Sequence, residues 1–277
     1  MELLSPLQIN LLQNLVLFKQ LTIPQFAKLN KNSSEQSIRR ALEKIYRKRK
    51  PLINRVEFKK VSHFGRLSYV YSLSAYGVQS LEKTLKRKVE IETFTPSHPK
   101  LTDDYFHRTS TIDFQILMHL NSKSEDFQII SCCHYFVVKK NKKSFESINK
   151  IELEPEIKII PDLAILLLKQ SKERWILFEL HNGNSKKRII DQIKAHAICL
   201  VSLSAHKKYK IESTRFYYIL IVFEQESVMK AVIMDISKNQ LYKNVSQFFL
   251  CKSKLALNSN FLNGWTDLRG SKTDIRF

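Results

Sequence analysis

The apolar positions of the chain change period along its length, and the changes outline its elements. Residues 6–19 carry leucine, isoleucine and valine at helical intervals behind Ser5-Pro6, a cap followed by proline at the first helical position. A second helix is expected from Thr22, with Ile23, Phe26, Ala27 and Leu29 inward. A third opens at Ser33-Ser34-Glu35-Gln36, where Ser33 and Gln36 have capping-box spacing. Its apolar face is Ile38, Leu42 and Ile45, widened by Ala41 and Tyr46. After Pro51 the pattern turns strand-like over Leu52 to Val61 and Leu67 to Leu73, joined by Ser62-His63-Phe64-Gly65-Arg66.

Glu92 to Leu101 holds two prolines and little periodicity, which marks a linker. A helix follows near Asp103-Asp104, bearing Phe106, Phe114, Leu117 and Met118. Strands are then expected at Phe127 to Val138, Ile157 to Leu168, Trp175 to Leu180 and Phe216 to Phe223, with a helix at Ser185 to Leu203 between the last two. Residues 226–277 read as one strand, Val228 to Ile236, and a weakly ordered tail. The fold class is therefore α/β, three helices and a hairpin ahead of a mixed-sheet core. The division is 1–92, 102–250 and an unassigned C-terminal tail, 251–277.

Charge sharpens this picture. The chain has 277 residues, with 46 Lys+Arg against 26 Asp+Glu, a net charge of +20. Residues 1–100 carry +12 of that surplus. A polyanionic partner is implied, nucleic acid or an acidic membrane face. The longest apolar run, Leu163 to Leu168, is too short to span a bilayer, and the N-terminus lacks the pattern of a secretory signal. A soluble cytoplasmic protein without membrane insertion is expected. Four cysteines show no C-x-x-C spacing, and five glycines form neither a dinucleotide-binding nor a P-loop motif.

Three helices and a basic-tipped hairpin describe a winged helix, a helix-turn-helix variant. Arg39, Arg40, Lys44 and Arg47 on the third helix suit a DNA groove, and Arg66 in the hairpin suits a phosphate. A merely solvated basic helix is the alternative. In the core, Ile159-Ile160-Pro161-Asp162-Leu163-Ala164 precedes Trp175-Ile176-Leu177-Phe178-Glu179-Leu180-His181. Such apolar strands are buried on both faces, where an ionised carboxylate is costly without a compensating partner. Glu179 and His181, two apart, share a face. If the strands pair, Asp162 can lie opposite Glu179, and a divalent cation, Mg²⁺ or Mn²⁺, would relieve their repulsion while leaving room for phosphate oxygens. A turn-forming Pro-Asp and a histidine bonded to a backbone carbonyl are the plainer readings. Lys186, Lys187 and Arg188, at the start of the next helix, suit a DNA phosphate or simple solvation.

Pro161-Asp162, the spacing of 17 to Glu179 and Glu179-x-His181 resemble the PD-(D/E)-x-K nuclease superfamily, with His181 where lysine is usual. Gln192 and Lys194 form a Q-x-K pair, so Lys194 could replace that lysine. With Tyr71-x-Leu73-Ser74-x-x-Gly77, His107-x5-Asp113-Phe114 and Glu179-Leu180-His181-Asn182-Gly183, residues 1–225 resemble the replication-relaxation family of plasmid proteins and the MOBC-type conjugative relaxases. The resemblance implies a winged helix joined to a restriction-endonuclease-like core. It also implies metal-dependent nicking of one strand at a plasmid transfer origin, on double-stranded DNA with a single-stranded or nicked region, with accessory transfer proteins as partners. Asp162 and Glu179 become metal ligands. His181 becomes general base, nucleophile or further ligand, and His107 matches a recurring histidine of unassigned role. The eight histidines include no His-x-His pair, which argues against a tyrosine-type relaxase. The rival readings are a non-catalytic plasmid regulator or replication accessory protein, and a structural DNA-binding protein.

Overall fold

The computed structural model describes residues 3–58, 60–61, 65–89, 95–96, 101–122, 124–140, 145–153, 157–258 and 261–277. It is a mixed α/β protein with eight α-helices among those residues and one large mixed sheet. The chain divides into two compact units. The first comprises 1–93 and 98–116, the second 94–97 and 117–277.

The first unit begins with α1 (Pro6–Phe18), where Ser5 and Gln8 cap each other's backbone. Leu11, Leu12, Leu15 and Phe18 are its buried stripe. A short β1 (Gln20–Thr22), absent from the sequence reading, leads into α2 (Ile23–Leu29). The helix α3 (Glu35–Tyr46) is capped by Ser34, not Ser33: Ser34 Oγ accepts from the Ser37 N–H at 3.2 Å. Ile38, Leu42 and Ile45 are fully buried, as their spacing predicts. Strands β2 (Ile53–Val56) and β5 (Val70–Leu73) pair antiparallel, and β1 joins the other edge of β5. Between them β3 (Lys60–Val61) pairs with β4 (Gly65–Arg66). Ser62, His63 and Phe64 of the expected hairpin tip lie outside the described residues, as does most of the expected linker. A fourth helix, α4 (Ala75–Leu85), was not expected, although Ser74 caps it through the Gly77 N–H at 3.0 Å.

The long helix α5 (Leu101–Ser122) belongs to the first unit through Ile116. In the second unit β6 (Thr95–Pro96), β8 (Val137–Lys140) and β9 (Phe145–Ser147) form one small antiparallel sheet, and β10 (Ile151–Glu152) with β11 (Lys158–Ile159) another. The main sheet is built from β7 (Gln128–His134), β12 (Leu163–Lys169) and β13 (Lys172–His181), all antiparallel. The helix α6 (Lys186–Val201) and the short α7 (Ser204–Tyr209) then return the chain to β14 (Tyr218–Phe223), parallel to β13. All six β14 residues are buried, as befits a central strand covered on both faces.

The C-terminal segment departs from expectation. Val228 to Ile236 is no strand but part of α8 (Glu226–Ser237), whose buried residues Met229, Val232, Ile233 and Ile236 keep strict helical spacing. The presumed weak tail supplies β15 (Phe249–Ser253), parallel to β14, then β16 (Trp265–Thr266) and β17 (Lys272–Thr273) at the sheet edge. Phe261 and Trp265 are fully buried there. One face of the sheet, with Ala164, Leu177, Ile219 and Ile221, packs on Ile189 and Ile193 of α6 and on Val232 of α8. No described helix is long and apolar enough to cross a membrane.

Candidate active site

The hairpin register places the acidic pair. Leu163 lies opposite Phe178, so one further step sets Asp162 opposite Glu179. Asp162 Oδ2 accepts the Leu180 N–H at 2.7 Å, and the Asp162 carbonyl accepts the Tyr135 N–H at 3.0 Å. Asn149, fully buried, donates to the carbonyls of Cys133 and Pro161 and so fixes the approach to β12. Asp162 and Glu179 are 6% and 2% exposed.

Glu179 is held from α6. Gln192 Nε2 donates to its Oε2 at 2.6 Å, and His196 Nε2 lies 2.6 Å from its Oε1. Gln192 and His196 are four residues apart, neighbours on one helix face. Burial, then the charge of Asp162, pushes the Glu179 carboxyl well above its usual range. Burial, then His181, lowers His196 to about 3. Both shifts favour the uncharged forms, and which of the two atoms donates depends on the imidazole tautomer. His181 is 3% exposed, its ring 5.5 Å from that of Phe223, and its carbonyl accepts the Glu224 N–H at 2.9 Å.

The other expected residues are distributed differently. Lys194 is exposed on α6, about 200° around the helix from Gln192, and it is His196 that shares the face of Gln192. Lys186 is committed to Asp235 of α8 at 2.7 Å, while Lys187 and Arg188 are exposed. His107 lies on α5 in the first unit, where its carbonyl accepts from Thr111 Oγ1 at 3.0 Å. Arg39, Arg40, Lys44 and Arg47 are exposed along α3, with Arg47 paired to Glu43 at 2.5 Å. Arg39 and Arg66 line one groove of about 230 Å³, and Arg66 is hydrogen-bonded to the Tyr69 hydroxyl.

Among the described residues, no group of three or more His, Cys, Asp or Glu side chains is arranged to hold a metal ion. Two hard carboxylates nevertheless fit Mg²⁺ or Mn²⁺, which can use so few protein ligands and complete the shell with water and phosphate oxygens. The donor set is the observation behind that fit: the carboxyl groups of Asp162 and Glu179 stand opposite each other at the ends of adjacent strands. No family model matches the chain, and neither a curated protein nor a solved structure matches it.

Proposed function

We propose that this chain is a metal-dependent, site-specific DNA-nicking enzyme, a relaxase or endonuclease acting at a plasmid transfer origin. The carrying observation is the buried pair Asp162 and Glu179, two carboxyl side chains opposed at the ends of adjacent strands. The sheet order supports a restriction-endonuclease-like core: three antiparallel strands, two helices, then a parallel strand. The three helices, three-stranded sheet and basic α3 support a DNA-reading winged helix.

In this reading Asp162 and Glu179 hold Mg²⁺ or Mn²⁺, which when bound supplies Lewis acidity to the scissile phosphate. Gln192 and His196 fix the Glu179 carboxyl, and Leu180 fixes that of Asp162. His181, on the same face as Glu179, accepts a proton, attacks or ligates. Arg39, Arg40, Lys44, Arg47 and Arg66 grip the duplex, with Lys187 and Arg188 available to a phosphate. Accessory transfer proteins are partners that the resemblance implies.

A second reading, a non-catalytic plasmid regulator, is favoured by specific features. Lysine is absent at position 181, Lys194 faces solvent, and both Glu179 oxygens already have partners. Supercoiled plasmid carrying the transfer origin, incubated with protein and Mn²⁺, separates the two. Open circles should form with wild type, disappear with EDTA, and fail to form with Asp162→Ala or Glu179→Ala while DNA binding persists. Equal nicking by those variants would eliminate the site. No nicking by wild type, with intact origin binding, would select the regulator.

A further inference from the structure

A described groove of about 470 Å³ lies away from the acid pair and combines aromatic rings with three cations, of which Lys272 donates to Thr266 Oγ1 at 3.2 Å. Phe216, Tyr218 and Phe248 form its apolar wall, and Arg269, Lys272 and Arg276 its basic rim. Phe216 is 37% exposed in a unit whose other core aromatics are largely covered. Its ring is held firmly: the Arg174 guanidinium sits 3.8 Å from the ring centroid and donates to the Phe216 carbonyl at 2.9 Å. Arg174 is itself 8% exposed, and its second acceptor is the Arg276 carbonyl at 3.0 Å. Phe248 packs 5.5 Å from Phe216, and the Arg276 N–H donates to the Tyr218 hydroxyl at 3.2 Å. The C-terminal segment is thereby tied to the wall. Arg269 is paired with Asp267, but no ion pair among the described residues engages Lys272 or Arg276.

We propose that this groove binds a single-stranded nucleic-acid segment, with an unpaired base on Phe216 and backbone phosphates on Lys272 and Arg276. The chemistry argues for this ligand. With Arg174 over one face, the exposed remainder of the rigid Phe216 ring is a surface on which any base can stack, and flanking cations track a phosphodiester backbone. In duplex DNA the base faces are buried, so such a ring has nothing to stack on. The groove volume falls in the range of ordinary ligand sites.

Its position assigns it a flanking segment, not the scissile nucleotide. Tyr218 pairs with Ile176, three residues before Glu179, which is about 10 Å along the strand and on the opposite sheet face. Binding here rests on the proposed nicking only for the origin of the single strand.

The test is fluorescence anisotropy of a labelled oligothymidylate of about ten nucleotides, without divalent metal. The wild-type protein should bind it, and unlabelled oligomer should compete better than a blunt duplex of equal length. Phe216→Ala should weaken binding about tenfold and Phe216→Trp should restore it. Lys272→Glu, a surface change that removes no packing, should weaken it comparably. Arg276→Ala should lower the slope of log affinity against log salt by about 0.7, the loss of one single-strand phosphate contact. Unchanged affinity in both Phe216→Ala and Lys272→Glu, or preference for the duplex, overturns the inference. Asp162→Ala should retain oligonucleotide binding, so failure of nicking and failure of this groove are told apart.

Discussion

The buried contact of Glu179 with His196 gives the site a pH signature of its own. Glu179 is raised in the fold, so its stabilising contribution is complete below its ordinary value of 4.5 and is lost as pH rises through the folded value. His196 runs the other way. Lowered from 6.5 to about 3, it contributes fully above 6.5 and loses that contribution as pH falls toward 3. Urea midpoints measured from about pH 4 to about pH 9 should therefore show Glu179→Gln gaining on wild type as pH rises. His196→Gln should gain on wild type as pH falls below about 6.5. Parallel curves for wild type and Glu179→Gln would falsify the upward shift of the Glu179 carboxyl. The acid pair was legible in the sequence because strand alternation and strand pairing bring residues 162, 179 and 181 together by local rules. His196 was not. Which face of α6 meets the sheet is set by packing of Ile189 and Ile193, and that phase selects His196 and leaves Lys194 in water.

At the scale of elements, the misreadings share one cause: the local residue types pointed elsewhere. The run Val228 to Ile236 is rich in β-branched and aliphatic side chains, yet its buried subset falls at i, i+3, i+4 and i+7. The tight link between β12 and β13 is two residues, Gln170 and Ser171, both at positive φ (48° and 62°). Hairpin turns of this kind usually carry Asn-Gly, so nothing announced it. The helix α4 holds its Gly77 for a physical reason. A Cβ there would stand 2.0 Å from the Leu52 carbonyl oxygen, a backbone atom that cannot step aside. That same carbonyl accepts the Ser74 N–H at 3.1 Å, so the close approach locks α4 to the strand entry. Gly77→Ala gains helix propensity of about 1 kcal/mol but meets overpacking of about 1–3 kcal/mol. The expected outcome is net destabilisation, visible as a lower urea midpoint; an equal or higher midpoint would show that α4 can shift freely.

Over the whole molecule, charge rather than shape was the most legible property, because net charge is a sum that needs no fold. Of the +20, +12 lies in the first 100 residues, and the exposed α3 displays Arg39, Arg40, Lys44 and Arg47. On the same helix Glu43 takes both Arg47 and, from β2, Arg55. If this basic surface docks on DNA as proposed, counterions are released, so log affinity should fall linearly with log salt, by about 0.9 per phosphate contacted. Replacing Arg39 and Arg40 together by glutamate should weaken duplex binding and reduce that slope by about 2 if each touches a phosphate. Specific and random duplexes separate two roles for these arginines. A uniform loss on both sequences assigns them to the backbone, and a larger loss on the origin assigns at least one to a base edge. Titration of both duplexes at several salt concentrations measures slope and ratio in one experiment. An unchanged slope with unchanged affinity would remove α3 from the DNA interface, and the excess charge of the first unit would then need a different anion.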